Sequence, residues 1–186
     1  MLDGGLPMWQ REGRATASSG PEAESGLGSN SKRAASGGDG GQWSKDQAQQ
    51  WDIGQVRDNI RSQAFQLIDM RPAARFSGIA EEPRPGVRSG HIPARINVPF
   101  GNFLKSSADG LPTTFKGTEE LQEVFADAGV DLAKPVAVTC GSGMTACIGR
   151  LALQQVGVSG VPVYDGSWAE WGSRTDTPVS SDLDSN

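Results

Sequence analysis

The sequence is poor in the residues that metal centres and disulfide frameworks need. Its 186 residues include one histidine and two cysteines, with no close cluster of the two types. A structural zinc site takes about four such ligands, so no metal is expected. The two cysteines form no disulfide framework, and they favour a reducing intracellular compartment such as the cytoplasm or the mitochondrion.

Long apolar runs and an excess of positive charge are also missing. No segment is apolar for long enough to span a membrane, and Asp3, Gly4 and Gly5 interrupt the region where a signal peptide would begin. The formal net charge is -5. An acidic chain is a poor match for phosphate backbones and anionic lipids, so neither nucleic acid nor a membrane is expected as a partner.

The strongest chemical signal lies in the stretch 135–156. Pro135 precedes the short β-branched run 136–139, which predicts a buried strand. A loop of small residues beginning at Cys140 follows, and residues 146–156 are apolar at helical spacing. Cys140 would therefore lie where a helix begins, and free backbone N–H groups and the helix dipole there favour a thiolate. A reactive nucleophile and a buried structural cysteine are the two interpretations.

An arginine-rich segment precedes this stretch. Its members are Arg71, Arg75, Arg84, Arg88 and Arg95. Prolines and glycines keep residues 79–94 out of regular structure. Guanidinium groups near a thiolate suggest recognition of a carboxylate or a sulfonate, and a solvated basic face is the alternative. The only histidine, His91, is expected to tie down a turn through its ring rather than to pair with a cysteine.

The composition changes along the chain and predicts four regions. Residues 1–12 begin with the segment Met1–Trp9, which matches Val163–Trp171 at a constant offset. We interpret residues 1–12 as the remnant of the end of a preceding copy of the later domain. Residues 13–42 are rich in Gly and Ser and predict a flexible linker. Residues 43–173 contain the strand and helix patterns and are predicted to form the folded domain that carries Cys140. Residues 174–186 predict a disordered tail.

Helical and strand patterns alternate within 43–173. Helices are predicted at 53–60, 118–128 and 146–156, and strands at 65–69, 136–139 and 161–164. This alternation predicts an α/β fold with a parallel sheet flanked by helices. Cys147, inside the third helix, is expected to be a small buried hydrophobe.

Five separate motifs resemble the rhodanese-like sulfurtransferases, specifically the catalytic half of 3-mercaptopyruvate sulfurtransferases. They are Asp69–Gly78, Glu82–Gly86, Gly90–Pro93, Cys140–Ala146 and Tyr164–Trp171. The resemblance implies a rhodanese-like sheet, no cofactor, and transfer of sulfane sulfur from 3-mercaptopyruvate, or less well from thiosulfate. The acceptor would be a thiol, such as thioredoxin or glutathione, or cyanide.

The resemblance also implies roles for individual residues. Cys140 would carry a persulfide, and Ser142 would help to activate the substrate. Arg75 and Arg84 would hold the substrate. The remaining positions of the binding loop would be Gly141, Gly143, Met144 and Thr145. Thiosulfate-preferring members place basic residues directly after the cysteine, whereas this loop is neutral there.

Two departures from the family pattern bear on activity. Ala94 and Arg95 follow Pro93, where the family has Gly-Ala, so the turn is altered if that position needs a positive φ. Full-length members also carry an inactive amino-terminal rhodanese domain, which lends an Asp and a His to the loop serine. That partner is expected to be missing from this chain, which would impair turnover.

Three other functions compete with the sulfurtransferase. A phosphatase on this fold would need an arginine where this loop has Ala146. A thiol oxidoreductase would use Cys140 together with Cys147. A non-catalytic rhodanese module, with a binding or regulatory role, would retain the fold without turnover.

Overall fold

The computed structural model describes residues 9–16, 50–106 and 112–181. The chain divides into two units, 1–46 and 47–186. In the first unit, Trp9 opens a helical turn, and its Nε1 donates a hydrogen bond to the carbonyl of Ala15 at 2.8 Å. Most of the predicted remnant and linker lies outside the described residues, so both stay predictions.

The second unit contains seven strands and six helical segments among its described residues. The strands are β1 (Gln50–Trp51), β2 (Gln66–Asp69), β3 (Ile96–Asn97), β4 (Leu104–Ser106), β5 (Pro112–Phe115), β6 (Val136–Thr139) and β7 (Val163–Tyr164). The α-helices are α1 (Ile53–Ser62), α2 (Ala73–Phe76), α3 (Thr118–Asp127), α4 (Ala146–Gln155) and α5 (Ser167–Ser173), with a 3₁₀ helix at Phe100–Phe103. The predicted helices and strands are present, and their ends differ from the predicted ones by at most two residues.

Five strands form a wholly parallel sheet in the order β1-β7-β6-β2-β3. Strands β4 and β5 form a separate antiparallel pair. Asp69 at the end of β2 is paired with Thr139 at the end of β6. The loops that leave these two central strands therefore meet at the same edge of the sheet, which is where open α/β sheets bind ligands.

The central strands are buried on both faces because helices cover both. One cluster contains Ile68, Val136 and Val138 with Phe103, Leu121 and Phe125. The other contains Leu67, Ala137 and Tyr164 with Trp168 and Trp171. Successive strand residues enter opposite clusters, as the pleat requires, and this explains the continuous apolar runs in the sequence. The predicted α/β fold class, with a parallel sheet flanked by helices, is confirmed.

Helix α1 begins directly after an N-cap residue, Asp52. The Asp52 carboxylate accepts the Gln55 backbone N–H at 2.9 Å, and the Gln55 side chain accepts the Asp52 N–H in return. This reciprocal pair satisfies two backbone donors that would otherwise lack partners. Helix α3 likewise ends before Gly129, whose φ of +77° suits a glycine.

The predicted disordered tail is wrong for residues 174–181. Ser180 exchanges backbone hydrogen bonds with His91 at 2.8 and 2.9 Å, and the Trp171 indole donates to the Pro178 carbonyl at 2.8 Å. The Thr177 hydroxyl also lies against the Arg88 guanidinium. The polar composition of this segment suggested disorder, but its backbone groups find partners on the domain. Residues 182–186 lie outside the described residues.

The turn around His91 has the structural role that its neighbours predict. Its Nδ1 lies 2.9 Å from the Phe76 carbonyl, and its ring stacks on the Phe76 ring at 4.0 Å between centroids. Ala94, which follows Pro93, has a φ of 58°. It thus adopts the left-handed conformation that a glycine adopts more readily.

Within the described ranges, no helix combines the length and the apolar character that crossing a bilayer requires.

Candidate active site

Cys140 is the first residue after β6 and lies beside a cavity of about 190 Å³. Only 2% of its surface is exposed. The cavity is lined by Pro72, Arg75, Pro83, Arg84, Phe100, Cys140, Gly141, Ser142, Met144 and Thr145. Seven of the eight residues in the predicted site are therefore brought together around one cavity, and the eighth, Gly143, lies in the same loop.

Gly143 shapes the loop instead of lining the cavity. It is buried, and its φ is +80°. A side-chain Cβ at this position would lie 2.8 Å from Asp165 Oδ1 and 3.0 Å from the Asp165 carbonyl oxygen. Only a glycine has both the conformational freedom and the small volume that this position requires.

Helix α5, which follows the neighbouring strand β7, holds the loop by hydrogen bonds. The N–H groups of Trp168 and Ala169, at the start of α5, donate to the carbonyls of Cys140 and Gly141, each at 2.9 Å. The backbone N–H groups of Gly141, Ser142, Met144 and Thr145 donate to no acceptor among the described residues. Unpaired N–H groups in front of a helix are suited to a bound anion.

A buried chain of charges holds Arg75 at the cavity. The Glu82 carboxylate, 3% exposed, accepts from Arg71 Nη1 at 2.8 Å and from Arg75 Nε at 3.2 Å, and it also pairs with Arg75 Nη2. Arg71 pairs with Asp69 at 2.7 Å and lies over the Trp168 ring at 4.4 Å. Two carboxylates thus oppose two guanidinium groups in this network.

Arg84 supplies the remaining charge of the cavity. It is exposed, and its guanidinium makes no ion pair or hydrogen bond within the part of the chain that the structure describes. Because Arg75 is already balanced by Glu82, the cavity lining carries about one uncompensated positive charge. An anionic ligand with a single carboxylate matches this balance.

The other three arginines of the segment have structural roles. Arg71 is buried in the charge network, and Arg88 donates to carbonyls at the end of α5, including that of Gly172 at 3.1 Å. Arg95 donates from Nε to the Ile92 carbonyl. Burial lowers the pKa of Arg95 to about 10, against the attraction of Asp69, so the group stays charged at neutral pH. The arginine-rich segment is therefore divided between scaffold and site.

Ser142 and Cys147 lie at the surface. Ser142 lines the cavity, and its hydroxyl has no hydrogen-bond partner among the described residues. The prediction that Cys147 is buried is wrong, because its residue is exposed and its thiol lies 3.5 Å from the Gly143 carbonyl. The buried residues of α4 are Ala146, Gly149, Ala152 and Leu153, and Cys147 lies outside this stripe, on the exposed side of the helix.

Sequence reasoning missed Ser167, whose side chain contacts the Cys140 loop. Ser167 is fully buried, and its Oγ accepts the N–H groups of Cys140 at 3.2 Å and Gly143 at 2.9 Å. Its signal in the sequence is its place in the motif Tyr164–Trp171, which supports the internal match with Met1–Trp9 and the family resemblance but assigns no role to Ser167.

Comparisons with known proteins agree with this geometry. Residues 52–174 match the family of rhodanese-like domains. Thiosulfate/3-mercaptopyruvate sulfurtransferase 1, mitochondrial, of Arabidopsis thaliana is 43% identical over 131 residues, which are 70% of this chain and 33% of that protein. The 3-mercaptopyruvate sulfurtransferase of Homo sapiens is 45% identical over 119 residues, which are 64% of this chain and 38% of that protein.

A solved structure gives the same assignment. SseA from Escherichia coli, described as a 3-mercaptopyruvate sulfotransferase with the rhodanese fold, matches with a TM-score of 0.54 and 36% identity. The match covers 65% of this chain and 42% of that one. This chain spans between 33% and 38% of the length of the two curated relatives. Since the family match includes both central strands and the Cys140 loop, this chain belongs to the family of rhodanese-like domains.

Proposed function

We propose that this chain is a sulfurtransferase that moves sulfane sulfur from 3-mercaptopyruvate through a persulfide on Cys140. The observation that carries the proposal is the cavity, in which Cys140 and a neutral glycine loop face two arginines. The names of the two relatives support the same donor class.

The first half-reaction would use the Cys140 thiolate as nucleophile. It attacks the sulfur of 3-mercaptopyruvate, an S–S bond forms, and the carbon–sulfur bond breaks. The bonding electrons pass to the substrate carbon as the enolate of pyruvate, which takes up one proton. Cys140 then holds the outer sulfur as a persulfide.

The second half-reaction would return Cys140 to its thiolate. A thiol acceptor, such as thioredoxin or glutathione, or cyanide, attacks the outer sulfur, and the Cys140 thiolate leaves. Both half-reactions exchange one sulfur atom between nucleophiles, so neither needs an oxidant or a cofactor.

The charge of the cavity favours 3-mercaptopyruvate over thiosulfate. The donor carries one carboxylate. Arg84, together with the N–H groups of Arg75 that Glu82 does not bind, can hold this carboxylate in bidentate fashion. Thiosulfate is a dianion, and the positions after Cys140, Gly141 and Ser142, supply no further positive charge. Thiosulfate is therefore expected to be the poorer donor.

The Ser142 hydroxyl would polarise the substrate during carbon–sulfur cleavage. As it has no partner among the described residues, we propose that a preceding rhodanese domain supplies the Asp and the His implied by the family resemblance. Positioned acid–base help of this kind contributes about 10²–10⁴ in rate. Joining a complete first rhodanese domain upstream of residue 43 should raise kcat by a factor in this range. Equal kcat values would show that Cys140, Arg75 and Arg84 suffice.

The persulfide is tested by intact mass. After incubation with 3-mercaptopyruvate and no acceptor, the protein should gain the mass of one sulfur atom. The gain should be absent in Cys140→Ser and retained in Cys147→Ser, which is the matched control for a second thiol. A wild-type protein without any gain would favour the alternative, a non-catalytic rhodanese module.

The carboxylate clamp is tested by substitutions that keep the charge. Arg75→Lys and Arg84→Lys lose the planar fork, so kcat/KM for 3-mercaptopyruvate should fall about tenfold or more, equivalent to about 1.4 kcal/mol. Arg61→Lys, on the exposed surface of α1, is the control and should leave kcat/KM unchanged. Equal effects at all three positions would contradict the clamp.

A further inference from the structure

Ser167 is the first residue of α5 and has an unusual backbone conformation. Its φ is 51°, in the left-handed region that residues other than glycine rarely adopt. The side chain is fully buried. A strained residue of this kind persists only where the surrounding structure holds it, and such residues cluster at functional sites.

The Ser167 hydroxyl is saturated with hydrogen bonds. It accepts the N–H of Cys140 at 3.2 Å and that of Gly143 at 2.9 Å, and it lies 2.8 Å from the Tyr164 carbonyl, to which it donates. The Thr139 hydroxyl lies 3.3 Å away. Because Tyr164 takes the only proton of the hydroxyl, Ser167 acts on Cys140 through the backbone.

These contacts tie the first residue of the Cys140 loop to its fourth. Cys140 is the first residue of the loop and Gly143 the fourth, and one oxygen atom binds the N–H groups of both. The next two residues of α5 bind the carbonyls of Cys140 and Gly141. The Cys140 thiol lies 4.0 Å from the same hydroxyl, which is the outer limit of a contact with sulfur.

We infer that Ser167 is a positioning residue for the sulfur transfer, because its hydroxyl fixes the curl of the loop that aims the Cys140 thiolate into the cavity. The role rests on the proposed function. It differs from the roles of Arg75, Arg84 and Ser142, since Ser167 does not line the cavity and would not touch the substrate.

Two substitutions separate the hydroxyl from the backbone. Ser167→Ala removes the hydroxyl and keeps the strained conformation, whereas Ser167→Gly removes the hydroxyl and relieves the strain. Both variants should form the persulfide about ten- to a hundredfold more slowly, the range that a misplaced reacting group produces. Ser167→Gly should keep a melting temperature at or above that of Ser167→Ala. Thr139→Val, which leaves both N–H bonds to Ser167 in place, is the control and should react at the wild-type rate.

The second readout needs no sulfur donor. In a Cys147→Ser background, the rate of Cys140 alkylation by iodoacetamide is measured against pH. Both Ser167 variants should move the profile to higher pH, because the loop amides no longer face the thiolate. A purely stabilising residue would change the melting temperature and leave this profile unmoved.

The outcomes are distinguishable. A wild-type rate and profile in Ser167→Gly would overturn the inference and leave only a backbone role for this position. Wild-type behaviour in both variants would overturn it as well. If the wild type forms no persulfide but the alkylation profile still shifts, the proposed function fails while Ser167 remains the residue that positions Cys140.

Discussion

Replacing Glu82 with glutamine should destabilise the domain and weaken substrate binding together. The carboxylate is 3% exposed and is shared by Arg71 and Arg75, so its loss leaves a buried guanidinium group without its full counter-charge. Glutamine keeps one acceptor oxygen and can bind only one of the two arginines well.

The size of the effect follows from this geometry. Removing one partner of a buried ion pair costs about 3–5 kcal/mol, and the remaining amide oxygen recovers part of this, leaving about 2–4 kcal/mol. In a domain of about 130 residues, 1 kcal/mol shifts the melting temperature by roughly 3–4 °C. The expected fall in melting temperature is therefore roughly 6–16 °C. Since Arg75 also loses its anchor, kcat/KM for 3-mercaptopyruvate should fall by about tenfold.

The matched control is Glu81→Gln. Glu81 is the exposed neighbour of Glu82, and its substitution changes the net charge by the same amount. Thermal unfolding and steady-state kinetics are measured for both variants. Equal melting temperatures in the two would refute the buried network as a source of stability. A fall in melting temperature with unchanged kcat/KM would refute the link from Glu82 to Arg75.

Three further predictions concern other parts of the domain. Gly143→Ala should slow persulfide formation by at least about tenfold, because its Cβ would lie 2.8 Å from Asp165 Oδ1. Gly157→Ala is the control and should retain activity, because Gly157 also has a positive φ, of +89°, but has open space around it. A chain that ends at Ser173 should melt lower and bind donor more weakly than one that ends at Ser181, because the bonds from Thr177 and Ser180 to the arginine-rich segment are lost. Hydrogen bonds from Arg174, and to a smaller extent from Arg57, lower the pKa of Asp176. The ionised carboxylate should therefore stabilise the fold at pH values above its unfolded-state pKa, and this stabilisation should be lost as the pH falls through the lowered folded-state pKa. The difference in melting temperature between Asp176→Asn and wild type should accordingly shrink in acid, and a difference that is constant with pH would contradict this.

Local pattern was enough to predict much of the fold and the position of Cys140 between a strand and a helix. A buried strand, a glycine loop and an apolar helix in direct succession placed Cys140 correctly, because each of these signals is contained in a short window. Arg75 and Arg84 were singled out by family resemblance alone. Spacing does not separate them from Arg71, Arg88 and Arg95, since only the folded chain shows which guanidinium groups find partners.

Two of the three errors, at Ser167 and in the tail, have a common physical cause. Ser167 lies 27 residues after Cys140, and the two meet because β6 and β7 are neighbours in the sheet. The tail residue Ser180 similarly finds its partner at His91, far back in the chain. Cys147 was misplaced for a different reason, because the first turns of α4 are apolar on more than one side and the buried stripe runs through Ala146 and Gly149 instead. Contacts between distant residues were the part that the pattern could not predict.

The strand order also determines when the site can form during synthesis. Strand β1 opens the domain, but its neighbour in the sheet is β7, so Gln50 pairs with Val163 more than a hundred residues later. A ribosome adds roughly 5–20 residues per second, so β1 waits several seconds for β7 to be made. Pairing between strands so far apart in the sequence also raises the contact order, and a high contact order slows folding. The α5 groups that hold the Cys140 loop emerge later still. A nascent chain is therefore expected to leave the Cys140 thiol exposed for seconds before α5 can hold the loop around it.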